Sequence, residues 1–213
     1  MKNNITELVF ILDRSGSMSG MEKDTIGGFN SMIEKQKKLD GQGYVTTVLF
    51  NNTNKTIHDR IDLKEVKPLT EDDYQVGGCT ALLDAIGTSI KHIEQIHKYI
   101  RKEDVPENTI FVITTDGYEN VSKQYTSQAV KKLIEKKKEE GWQFIFMAAN
   151  IDALETAASF GIDKDHATNY YQDSMGTKLS FMAANKAMTS VWTCGDFTVD
   201  WNEDVEAHYK KNK

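Results

Sequence analysis

The stretch FILDRSGSMSG, residues Phe10 to Gly20, changes character halfway along. Apolar residues run as far as Leu12 and stop at Asp13, and hydroxyls, glycines and an arginine follow. Asp13, Ser15 and Ser17 place three oxygen-bearing side chains at i, i+2 and i+4, and Gly16 lets the backbone bend between them. The question is what such a loop does at the end of an apolar run, and the rest of the chain supplies the context.

Further continuous apolar runs recur: Leu8–Leu12 around the opening stretch, then Tyr44–Phe50, Thr109–Thr115 and Phe144–Ala149. Continuous rather than alternating runs are expected of parallel strands covered on both faces. Thr56–Leu63 differs, with Ile57, Ile61 and Leu63 set among polar residues. It reads as an antiparallel edge strand joined to the second run through the turn Asn51-Asn-Thr-Asn54. Helical spacing fills the gaps: Met21–Leu39 before Gly41, Ala81–Lys102, Ser127–Glu140 before Gly141, Ala153–Phe160 and Leu179–Trp192. The lysines at 136–138 read as a solvated face near a helix C-terminus. Phe197–Trp201 reads as one extra strand. Alternating strands and helices predict an α/β class: a doubly wound, mainly parallel sheet with one antiparallel edge strand and helices on both faces. Residues 1–194 read as a single domain and 195–213 as a C-terminal extension, packed on it or partly flexible.

Composition narrows the function classes. The chain has 213 residues, 39% hydrophobic and 27% charged, with net charge −6, a globular balance. No basic cluster suggests a nucleic-acid groove, because phosphate contacts need grouped Lys and Arg. Cys79 and Cys194 form no CxxC pair and read as free thiols in a reducing compartment. The apolar run Leu8–Leu12 is too short for a leader core or a membrane span. A cytoplasmic protein with no membrane contact is the expectation.

In open α/β sheets, sites form outside the carboxyl ends of strands, near a reversal of strand order. Asp13 stands at one such end. Asp116 follows Thr115 at another, in ITTDG. Thr80 lies in VGGCTAL, where Gly77 and Gly78 permit an unusual backbone path before a helix. Together these are two carboxylates and three hydroxyls on three loops. Oxygen ligands without His or Cys suit a hard cation such as Mg²⁺.

Each residue also has a local reading. Ser17 or Ser19 could cap the helix near Met21, Thr80 could cap the helix at Ala81, and Asp116-Gly117 is a common turn. Glu119 and Asp152 read as solvated loop acids, and Cys79 as a small residue in a tight loop. The scattered histidines His58, His92, His97, His166 and His208, with Trp142 and Trp192, read as packing or surface residues.

The five-residue set resembles the metal-ion-dependent adhesion site of von Willebrand factor A domains. That motif, D-x-S-x-S followed by a distant Thr and a distant Asp, is matched by Asp13, Ser15, Ser17, Thr80 and Asp116, in order. The resemblance extends from about Glu7 through the Leu179–Trp192 helix and implies a Rossmann-like fold. It implies that Ser15, Ser17 and Thr80 contact Mg²⁺ (with Mn²⁺ or Ca²⁺ as substitutes) and that Asp13 and Asp116 hold it largely through water. It also implies a protein partner that supplies an Asp or Glu. The competing expectation is a Mg²⁺-dependent phosphohydrolase with Asp13 as nucleophile. Such chemistry usually needs a second carboxylate two residues on, and Ser15 stands there.

Overall fold

The computed structural model describes residues 4–198 and 200–213. Its framework is strand β1, Ile5–Asp13, in which all nine residues are buried. Strand β2, Gln42–Phe50, pairs with it in parallel on one side. Strand β4, Asn108–Thr115, pairs in parallel on the other. Strand β3, Asn54–Asp62, closes the β2 edge antiparallel, while β5, Gln143–Ala148, and β6, Ala167–Asn169, extend the β4 side in parallel. The six-stranded order is β3-β2-β1-β4-β5-β6. The chain therefore builds outward from β1 through β2 and β3, then returns to start again at β4. That reversal opens a crevice between the carboxyl ends of β1 and β4.

Two apolar layers cover the sheet. Helices α1 (Glu22–Gln36), α5 (Ser174–Cys194) and α6 (Glu203–Asn212) pack on one face, through Phe29, Met32, Phe181, Ala184 and Val205. Helices α2 (Leu82–Tyr99), α3 (Ser127–Glu139) and α4 (Ala153–Ser159) pack on the other, through Ile86, Ile90, Val130, Ile134 and Ala157. Among the described residues, no helix is long and apolar enough to cross a membrane.

The expected architecture holds, and the differences have local causes. Helix α1 stops at Gln36 rather than Leu39, because Lys38 and Leu39 donate to Lys35 and Gln36, three residues back, and tighten the last turn. Helix α5 starts at Ser174 rather than Leu179. Asp173 accepts from the Gly176 amide at 2.6 Å and caps it. It ends at Gly195, in the left-handed conformation at φ 82°. Strand β6 carries only three residues, too few to register as an apolar run. The expected strand at Phe197–Trp201 is not found at its described residues, and Val199 lies outside them. There Trp201 is buried, followed by α6. On β3 the simple alternation fails. A bulge opposite Thr47, with Arg60 at φ 49°, turns His58 inward and leaves Ile61 exposed. His58 bonds Thr47 Oγ1 and the Lys67 carbonyl, each at 3.0 Å. Within the lysine run, Lys137 is buried, not solvated. It lies over the Trp142 ring and pairs with Glu94 at 2.8 Å and Glu140 at 2.6 Å. The bond from Lys137, with a second from Lys91, holds the Glu94 carboxyl down at about 2.

Adjacent glycines in α1 have opposite surroundings. A Cβ on Gly28 would stand 2.3 Å from the Phe181 ring, whereas one on Gly27 would meet nothing within 4 Å. Gly28→Ala is therefore expected to destabilise the fold by ~1–3 kcal/mol through overpacking. Gly27→Ala is expected to stabilise it by ~0.5–1 kcal/mol through helix propensity. Urea midpoints of the two variants check this, and a shift of the same sign in both would contradict the α1–α5 packing.

Candidate metal site at the carboxyl edge of the sheet

Parallel pairing places the ends of β1 and β4 side by side, with Leu12 opposite Thr114. Asp13 is fully buried there. Its Oδ1 accepts from the Ser15 amide at 2.7 Å and its Oδ2 from Thr115 Oγ1 at 2.7 Å. The Tyr74 hydroxyl donates to the Asp13 carbonyl. Past Asp13, Ser15 Oγ lies 3.1 Å from Ser17 Oγ, and Ser17 Oγ donates to Asp116 Oδ1 at 2.6 Å. Asp13, Ser15, Ser17 and Asp116 thus share one continuous cluster. Burial pushes the Asp13 carboxyl up from its ordinary value against the bonds from Thr115 and Ser15. Asp116 is also raised, first by burial, with the charge of Asp13 adding to it and the bond from Ser17 opposing it.

Thr80 arrives on the loop before α2. That loop is pinned by the turn after β2: Asn51 Nδ2 donates to the Gly77 carbonyl at 2.7 Å, and the Cys79 amide donates to Asn52 Oδ1 at 2.8 Å. It is pinned to the β1 loop as well, since the Gly16 amide donates to the Gly78 carbonyl and the Gly77 amide to the Arg14 carbonyl, both at 2.9 Å. Gly78 adopts φ 81°, and a Cβ there would collide with Asn52 Oδ1 at 2.0 Å. Asn120 clamps Thr80 itself. Its Oδ1 accepts from the Thr80 amide at 3.0 Å, and its own amide donates to the Thr80 carbonyl at 3.1 Å.

The capping alternatives do not hold. Helix α1 begins from Met21 and α2 from Ala81, and neither start has a side-chain cap from Ser17, Ser19 or Thr80. The hydroxyls of Ser17 and Thr80 instead lie 3.6 and 3.8 Å from the point where a Cβ on Gly117 would stand. The missing side chain of Gly117 leaves space between them, beside two buried acids with neutral hydrogen-bond partners. The donor set and that space fit a small hard cation.

Several residues that organise the site carry no sequence signal on which the expectation rested: Asn51, Asn52, Tyr74, Asn120, Asn150 and Gln172. A uniform search of polar residues just past each strand end would have found Asn51, Asn52 and Asn150. Glu119 is not a solvated acid. It accepts from the amides of Leu83, Val121 and Ser122 and ties the loop after β4 to α2. Asp152 caps α4 by accepting from the Glu155 amide. Cys79 is exposed in its loop.

A second group, Asp163, Asp165 and His166, brings ligand-type atoms within 4.8 Å of one another just before β6, at the opposite edge of the sheet. Lys138 Nζ occupies Asp163 at 2.6 Å, both acids are exposed, and the Phe197 ring lies 4.0 Å from the His166 ring. This is a surface ion cluster around a half-buried histidine.

No protein-family model and no curated protein matches the chain. Solved structures do match in fold. The vWF domain of the type V pili tip protein Mfa5 from Porphyromonas gingivalis superposes with TM-score 0.62 at 9% identity, over 91% of this chain and 98% of that one. The chain has a von Willebrand factor A fold. A von Willebrand factor type A structure from Catenulispora acidiphila gives TM-score 0.55 at 12% identity, over 87% of this chain and 42% of that one. Proximal thread matrix protein 1 from the mussel byssus, with a zinc-occupied MIDAS motif, gives 0.57 at 14% identity, over 87% and 48%. This chain spans less than half the length of those last two.

The raised acids set a pH dependence. A carboxyl whose native value lies above its unfolded one binds its proton more tightly in the native state. Its stabilising contribution is full below the unfolded value of about 4 and is lost as pH rises through the native value. With chelator present, Asp13→Asn is expected to melt higher than the parent at pH 7, and the difference is expected to vanish towards pH 4. The asparagine amide can donate to Thr115 Oγ1, which can turn its proton to the Gly117 carbonyl at 3.2 Å. Calorimetric melting from pH 4 to 8 checks this; a variant less stable than the parent at pH 7 would contradict the burial cost.

Proposed function

We propose that the protein is a Mg²⁺-dependent protein-interaction module. Asp13, Ser15, Ser17, Thr80 and Asp116 would hold the cation, with Mn²⁺ or Ca²⁺ as substitutes, and the partner would supply an acidic side chain. The observation that carries this reading is the pair of raised, buried carboxylates whose partners among the described residues are neutral donors, Ser15, Thr115, Ser17, Gln172 and the Asp116 main chain. Such a pair is costly alone and becomes favourable with a positive charge between the two acids. When bound, a hard cation supplies an electrophile for one outside carboxylate oxygen. The chain's own residues prepare for that. Neutral hydroxyls neutralise little of its charge, and the two acids are fixed by hydrogen bonds. Support from the comparisons is at the level of fold, together with the occupied MIDAS motif of the mussel protein.

The phosphohydrolase reading fares worse on the geometry of Asp13. Asp13 is fully buried, with each oxygen accepting one hydrogen bond, so a bulky phosphate ester has no open approach for attack by it, although each oxygen keeps a second lone pair that a small ion can use. Turnover of a generic phosphate ester, abolished by Asp13→Ala, would restore it.

Titration calorimetry is expected to give one Mg²⁺ or Mn²⁺ site in the native protein and none in Asp116→Ala. Equal binding by both would remove Asp116 from the site. Affinity capture with Mg²⁺ and then with chelator is expected to retain a protein only with metal. Partner and metal should each tighten the other by the same factor, typically ~1–3 kcal/mol. Thr80 does not cap α2, so Thr80→Ala is expected to lower metal affinity modestly and reduce that coupling towards zero. Full coupling in the variant would assign Thr80 a purely structural role.

A further inference from the structure

The loop between β6 and α5 carries a residue that reaches into the site from 155 positions beyond Ser17. The Gln172 amide nitrogen donates to Asp116 Oδ2 at 2.7 Å and to the Ser17 carbonyl at 2.9 Å. Its oxygen accepts from Asn150 Nδ2 at 2.5 Å. Asn150 Nδ2 also donates to the Asp116 carbonyl at 3.3 Å. These partners define the amide's orientation, since its nitrogen faces two acceptors and its oxygen a donor. One side chain thus ties together the loops after β1, β4, β5 and β6.

The loop that presents Gln172 is itself held. Asp173, next along, caps α5 and is contacted by His208 Nε2 of α6 at 3.1 Å. Gly176 allows the loop to fold tightly onto the start of α5, because a Cβ there would stand 2.0 Å from the Tyr171 carbonyl. The position of the amide is therefore set by both C-terminal helices before any ligand arrives.

The consequence falls on Asp116. Ser17 donates to its Oδ1 and Gln172 to its Oδ2, so the carboxylate is anchored at both oxygens, and turning it to present both to one ion would break a hydrogen bond. Mg²⁺ takes six oxygens in octahedral geometry and keeps several waters, whereas Ca²⁺ takes six to eight and readily accepts a bidentate carboxylate. We propose that Gln172 is a positioning residue that makes the site select Mg²⁺ over Ca²⁺, by holding Asp116 Oδ2 in place and so disfavouring the turn that would give a larger ion a bidentate ligand. This rests on the metal-site reading above and adds to it the residue that decides which cation is taken.

The test is the ratio of Ca²⁺ to Mg²⁺ affinity, measured by calorimetry on the full chain. Gln172→Met keeps the length of the side chain and removes the donor, and Gln172→Ala removes both. Melting curves establish that each variant is folded. Both variants are expected to move the ratio towards Ca²⁺ by about tenfold, the scale on which outer hydrogen-bond partners of metal ligands act. A merely structural tie would leave the ratio where it was, with both affinities unchanged or lowered together, and that result overturns the proposal. If the native protein binds neither ion, the metal-site reading fails and this inference with it. Binding by the native protein with an unchanged ratio in both variants removes the inference alone.

Discussion

The hydrogen bond from Thr115 Oγ1 to Asp13 Oδ2 joins the ends of β1 and β4 at the point where strand order reverses. Both strands are buried on both faces, and their parallel register leaves no freedom in how their ends meet. Side chains beyond those ends must turn into the same crevice. The loops after β1 and β4 and the loop before α2 are arranged around that meeting, and each is fastened to another by main-chain or amide hydrogen bonds. The rigidity of the sheet thus becomes the rigidity of the site.

That arrangement has an electrostatic cost. Two acids lie where water has little access, and burial pushes both up from their ordinary value. Elsewhere the fold neutralises buried charge directly at two places, while Asp84 is held by three main-chain amides. Lys137 sits between Glu94 and Glu140, and Glu7 accepts from Arg60 Nε at 3.0 Å. At the carboxyl edge it does not. The partners of Asp13 and Asp116 are hydroxyls, a main-chain amide and a glutamine amide. Neutral donors hold a carboxylate's orientation without cancelling its charge, a contrast that favours a binding role over a purely structural one.

The two helical layers contribute differently. On one face, α2 and the Glu119 loop fix the segment that carries Thr80. On the other, α5 and α6 fix the segment that carries Gln172. The C-terminal residues are part of this second support. Trp201 and Val205 are buried in the same core as Phe29 and Phe181, and His208 reaches Asp173 beside the site.

The layered α/β fold and four members of the cluster, Asp13, Ser15, Ser17 and Asp116, were legible in the sequence by itself. Continuous apolar runs identify buried parallel strands, and a polar residue that ends such a run must lie at a sheet edge. Thr80 was legible through its paired glycines. The chain did not disclose how Thr80 is held or why Asp116 is fixed. Asn52, Asn120 and Gln172 do that work from other loops, and side-chain amides carry no periodicity that would mark them. The bulge that turns His58 inward, the burial of Lys137 and the helix at Glu203–Asn212 were likewise decided in three dimensions. Each depends on a partner in another element: Thr47 of β2 for His58, Glu94 of α2 for Lys137, and the packed face of α5 for α6. Local pattern determines which faces must be covered, and tertiary contact decides which residues cover them.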